Sequence, residues 1–95
     1  MLSEIVFEAK NKSEINIKYG KIKDTIEKEG FKKAALIHST ADSSSNGGNI
    51  GWINENSINK KILDIVSNLK EKEYSISILF QVGFLILKVD EKKSV

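Results

Sequence analysis

Apolar and polar positions alternate along this chain in segments of changing period. Leu2 to Glu8 is rich in β-formers and reads as a short strand. Lys10 to Ser13 is a polar connection, and Ser13 with Glu14 behind it reads as a helix N-cap. Ile15, Tyr19, Ile22 and Ile26 then recur at helical spacing, with Gly30 at the C-cap. Phe31 to Ser39 predicts a second helix, with Phe31, Ala34, Ala35 and Ile37 apolar. Thr40 to Asn49 is a Ser-, Asn- and Gly-rich surface loop inside the domain. A short strand over Ile50 to Ile53 follows. Ser57 then caps a helix carrying Ile62, Ile65, Val66 and Leu69 on one side.

Past the charged turn Lys70 to Glu73, Tyr74 to Phe80 reads as a strand. Gln81-Val82-Gly83 reads as a tight turn. Phe84 to Val89 is nearly all apolar, which predicts a strand in the centre of the sheet. Asp90 to Val95 is expected to fray. The order is strand, two helices, strand, helix, hairpin. Strands at both ends with helices between them predict an α+β domain whose terminal strands are neighbours in one sheet.

At 95 residues the chain has room for a single core, so 1–95 is read as one domain. All 15 basic residues are Lys, interspersed with 13 acidic ones, for a formal net charge of +2. Arg is the residue that grips guanine edges and phosphates with two parallel bonds. Its absence argues against a nucleic-acid binder and against recognition of phosphorylated peptides. There is no Cys, which removes disulfides, thiolate metal sites and a thiol nucleophile. No metal-ligand cluster, phosphate loop or catalytic triad is legible, so neither metal nor cofactor is expected. No apolar run approaches the roughly 20 residues that span a bilayer. No signal peptide is visible, which fits either a cytosolic protein or a domain from a larger exported one.

Two segments carry chemical information. The first is Asn46-Gly47-Gly48-Asn49-Ile50-Gly51-Trp52, and the second is Gly83-Phe84-Leu85-Ile86-Leu87-Lys88-Val89. Together they resemble the parvulin family of peptidyl-prolyl isomerases. Parvulins carry a Gly-Gly-(Asp or Asn)-Leu-Gly-(Trp or Phe) segment and close on a Gly-(Phe or Ile)-His-Ile-(Ile or Leu)-Lys-Val strand. Their opening Leu-Ser-His-Ile strand corresponds to Leu2-Ser3-Glu4-Ile5. The resemblance covers nearly the whole chain and is greatest to the SurA-like type. It implies a small antiparallel sheet of about four strands wrapped by helices.

The departures fall on the family's site. Its two His residues correspond to Glu4 and Leu85, and its pocket Phe to Ile62. Its loop Cys or Asp corresponds to Ala41 or Asp42, depending on how the loop is aligned. Its hydroxyl near the final hairpin falls at Phe80 to Val82, where there is none, and its third-strand Pro falls on Ser77.

Rotating an X-Pro bond requires loss of amide resonance, a barrier of about 18–20 kcal/mol. The catalyst must bind the twisted imide better than either planar form. That calls for an apolar slot for the proline ring, here expected from Ile50, Ile58, Ile62, Phe80 and Leu85. It also calls for a polar group near the imide, for which Asp42 and Glu4 are the candidates. His38, at a helix end, is read as a packing or C-terminal residue. Trp52 and Phe84 are read as core, and the Lys and Glu of residues 21–33 as the wet face of a helix.

The resemblance therefore implies a prolyl isomerase domain of a SurA-like periplasmic folding factor, monomeric as a domain. It would act on X-Pro bonds of unfolded clients, with activity weakened by loss of the paired His. The alternative is an inactive parvulin fold that holds peptides, including aromatic-rich ones, as a chaperone module.

Overall fold

The computed structural model describes residues 1–80 and 83–92, with Glu55 and Phe80 described by backbone alone. A four-stranded antiparallel sheet has the order β2-β1-β4-β3. Its strands are β1 (Leu2–Phe7), β2 (Asn49–Gly51), β3 (Ile78–Phe80) and β4 (Gly83–Val89). The helices are α1 (Lys12–Glu29), α2 (Phe31–His38) and α3 (Lys60–Ser67). The terminal strands are adjacent, as expected, in a register running from Leu2 opposite Val89 to Phe7 opposite Phe84.

The sheet has two covered faces, which is why β4 is apolar at nearly every position. On one face, Ile5, Phe7 and Ile86 pack beneath α1 and α2 against Ile22, Phe31, Ala34 and Ala35. Ile15, Tyr19 and Ile26, the rest of the α1 stripe, pack around this cluster. Phe84 stacks on Phe7 at 5.6 Å between ring centres, so its expected core role holds. On the other face, Leu85, Leu87 and Ile78 meet Ile62 of α3, with Val6, Ile58, Ile65 and Val66 at the margin.

β2 is too short to cover all of β1, and the loop before it completes the job. The Val6 N–H donates to Ser39 Oγ at 3.0 Å. The Thr40 N–H donates to the Val6 carbonyl at 2.8 Å, and the Glu4 N–H to the Gly48 carbonyl at 2.8 Å. A strand edge that would otherwise be open to another chain is thereby closed.

Several expectations are corrected. Asn11, not Ser13, caps α1: its Oδ1 accepts from the Glu14 N–H at 2.9 Å. Asn59, not Ser57, caps α3 through the Ile62 N–H at 2.9 Å, and Ser57 ends a short 3-10 turn. In both cases an Asn two positions away supplies the better-placed carbonyl oxygen. Within the Thr40–Asn49 loop, Asp42–Asn46 winds into a 3-10 helix.

The strand expected over Tyr74 to Phe80 is confined to Ile78–Phe80, with an isolated bridge between Tyr74 and Lys88. Ser75 interrupts the ladder. Its hydroxyl oxygen accepts the Leu87 N–H at 3.0 Å, leaving its carbonyl to the Tyr19 hydroxyl at 3.2 Å. The turn expected at Gln81-Val82 lies outside the described residues. Asp90 to Lys92 do not fray: the Asp90 N–H donates to the Met1 carbonyl and the Lys92 N–H to Glu71 Oε2, both at 2.9 Å. Residues 93–95 lie outside the described residues.

Trp52 is not core; 52% of it is exposed. The strand before it ends at Gly51, whose φ of 80° turns the chain off the sheet before Trp52 can dock.

Candidate functional site

Side chains alternate across a strand, so Glu4 shares a face of β1 with Val6. Glu4 lies opposite Leu87 on β4, and Val6 lies opposite Leu85. Glu4 and Leu85 are therefore diagonal neighbours on the α3 side of the sheet. Glu4 is half-buried there, on a face otherwise built from Val6, Leu85, Leu87, Ile78 and Ile62.

The side chain that reaches Glu4 comes from the 3-10 helix. Ser43 Oγ donates to Glu4 Oε2 at 2.7 Å, joining residues 39 positions apart. Ser43 carries no mark in the sequence that separates it from Ser44 and Ser45. Only the docking of the loop on β1 selects it. The two loop candidates for contact with the site fall otherwise. Ala41 is half-buried, with its N–H directed to Ser39 Oγ at 3.3 Å. Asp42 is exposed at the start of the 3-10 helix; its carbonyl accepts from Ser45 Oγ at 3.2 Å.

Among the expected slot residues, Leu85 and Ile62 are 5% and 8% exposed and belong to one packed cluster. Ile58 is half-buried at the margin of that cluster. Ile50 is half-buried on β2. The Phe80 side chain lies outside the described residues, as do residues 81 and 82. The structure thus brings Glu4, Leu85 and Ile62 to one face, with Ile58 beside them. It adds Ser43, and it leaves Asp42 in solvent.

His38 sits on the opposite side of the sheet, at the α1–α2 contact. Its Nε2 lies 3.0 Å from Thr25 Oγ1, and that hydroxyl donates its proton to the Lys21 carbonyl at 3.0 Å. His38 Nε2 is therefore the donor. Burial, and then the nearby Lys21 charge, hold its pKa below the ordinary histidine value. Its packing role is as expected.

A groove of about 510 Å³ opens elsewhere, at the free edge of β3, lined mainly by Ile65, Leu69, Tyr74, Ile76, Ile78 and Leu79. Lys61 is its one ionisable lining residue besides Tyr74, so it contains no acid–base pair. Among the described residues no cluster of three His, Asp or Glu is placed to hold a metal ion.

What the Glu4 face offers is one fixed carboxylate bordered by aliphatic side chains. An ionised carboxylate only accepts hydrogen bonds. It acts on a nearby imide through charge. In a planar imide the carbonyl oxygen carries extra negative charge, which it loses on twisting. A negative group close to that oxygen therefore favours the twisted state.

No curated protein matches the chain by sequence. Among solved structures, PrsA from Bacillus subtilis superimposes with a TM-score of 0.77 at 23% identity over 98% of this chain. PrsA from Bacillus cereus gives 0.83 at 21% over 99%. In each case this chain spans 35% of the larger protein. The parvulin domain of PpiD from E. coli gives 0.72 at 25% identity, over 95% of this chain and 83% of that domain. Residues 2–91 match the family described as "Rotamase: PPIC-type PPIASE domain". With β1 and β4 paired at its centre and that match running nearly end to end, the chain belongs to the PPIC-type, or parvulin, peptidyl-prolyl isomerase domain family.

Proposed function

We propose that this domain catalyses cis/trans isomerisation of X-Pro bonds in unfolded or extended polypeptide clients, as one part of a larger SurA-like folding factor. The observation that carries the reading is the Glu4 carboxylate, held by Ser43 on an apolar sheet face where the family has a His. Ile50, Ile58, Ile62, Phe80 and Leu85 receive the proline ring. Glu4 lies beneath the imide and lowers its resonance by charge. Asp42, exposed on the same loop one residue before Ser43, meets the peptide from the solvent side. Turnover is slow, because Glu4 and Leu85 stand where the family has its two imidazoles. The resemblance to SurA-like factors supports a periplasmic site of action and an exported parent. No metal or cofactor takes part, and the domain works as a monomer.

The test is NMR exchange spectroscopy on a short X-Pro peptide with and without the domain. Uncatalysed exchange takes tens to hundreds of seconds. New cis–trans exchange peaks are expected, diminished by Glu4→Ala more than by Asp42→Ala. Peptide-induced shifts without exchange would overturn the catalytic reading.

That outcome would establish the second reading, a parvulin fold that holds extended or aromatic-rich peptides without turning them over. It is favoured by Leu85, which at 5% exposure makes the second His position part of the core.

A further inference from the structure

The Glu4 face has one feature that isomerisation of a neutral X-Pro bond does not require. A half-buried carboxylate stands on it with one hydrogen bond, from Ser43, and no Lys within ion-pair distance among the described residues. A carboxylate offers about four acceptor positions, so one serine hydroxyl leaves room for a cationic donor. The ion pairs that do form engage Glu14, Asp24 and Asp90 instead. A charge partly removed from water and lacking a counter-charge is poised to take one from a ligand. Ser43 fixes where that charge stands, so a ligand cation meets a preorganised partner and not a mobile one.

We propose that Glu4 is a specificity-determining residue that selects peptides with a Lys or Arg side chain next to the proline, with Ser43 as its positioning residue. This rests on the reading of the Glu4 face as the peptide site. Acidic and phosphorylated residues at that position are rejected by like charge. The preference does not come from the protein's overall field. With a formal net charge of +2, that field repels a cationic peptide. The attraction has to be local, and Glu4 is the one acidic side chain that the register places among Val6, Leu85 and Leu87.

The experiment uses three peptides that differ only in the residue before proline: Lys, its neutral isostere norleucine, and Glu. Each is titrated into the 15N-labelled domain at low salt, with shifts read on β1, β4 and the 3-10 helix. The Lys peptide is expected to bind about five- to tenfold more tightly than the norleucine peptide, and the Glu peptide more weakly than either. In Glu4→Gln the Lys-to-norleucine ratio falls to about one. Ser43→Ala lowers the ratio partway, and Ser43→Thr restores it. Raising salt from about 50 to 500 mM collapses the wild-type ratio, a readout that needs no variant.

Equal affinities in the wild type, or a Lys preference that survives Glu4→Gln, would overturn the proposal while leaving the peptide-site reading intact. If none of the three peptides shifts a resonance on that face, the peptide-site reading fails, and the specificity proposal fails with it.

Discussion

Gly48 lies flat against the backbone of Glu4. The Glu4 N–H donates to the Gly48 carbonyl at 2.8 Å. A Cβ on Gly48 would collide with the Glu4 carbonyl oxygen and stand 3.1 Å from the Ala35 Cβ. The second glycine of the pair is thus the point where the loop is pressed onto the site strand.

Gly48→Ala is expected to destabilise the domain by about 2–5 kcal/mol. That sums a left-handed penalty of about 1–2 kcal/mol at its φ of 81° and overpacking of about 1–3 kcal/mol. Urea unfolding measures it. Because the collision is with backbone, the loop has to lift, and the Glu4 amide resonance should move with it.

Gly20 is the opposite case. It lies inside α1, exposed, with nothing within 4 Å of where a Cβ would stand. Gly20→Ala should stabilise the domain by about 0.5–1 kcal/mol, seen as a higher melting temperature. A loss of stability there would contradict the geometry of α1.

Asn59→Ala removes the side chain that accepts the Ile62 N–H at the start of α3. A cost of about 1 kcal/mol is expected. Ile62 anchors α3 on the Glu4 face, so amide hydrogen exchange should quicken in α3 more than in β1.

His38 makes stability depend on pH. Its folded pKa lies below the ordinary value of 6.5, so between the two the unfolded chain binds more proton. Its contribution is whole above pH 6.5 and is lost as pH falls through the folded value. Denaturation midpoints should drop from pH 7.5 to pH 5.5, and His38→Gln should reduce that drop. An equal drop in the variant would assign the effect to other groups.

Much of the fold was legible in one dimension because its signals are local. The α1 stripe of Ile15, Tyr19, Ile22 and Ile26 and the continuous apolar run of β4 each depend on near neighbours, and both elements stand where they were expected. The order of the elements carried the pairing of the first and last strands, and the two Gly-containing segments, with the opening Leu2-Ser3-Glu4-Ile5, carried the family. Local reading went astray where a long-range contact outweighs a neighbour. The Ser75 hydroxyl accepts the Leu87 N–H and interrupts a strand that the alternation of residues 74–80 extends, and Met1 orders Asp90 at the far end of the chain.

The site divides along the same line. Sequence placed Glu4 where the family has a His, because strand position follows from the motif around it. It could not choose Ser43 from three consecutive serines, nor show Asp42 in solvent. Those outcomes depend on how the 3-10 helix is seated on β1, through Gly48 against Glu4, Ser39 against Val6 and Thr40 against Val6. A hydrogen bond between residues 39 apart is set by the packing of whole elements, and no spacing along the chain encodes it.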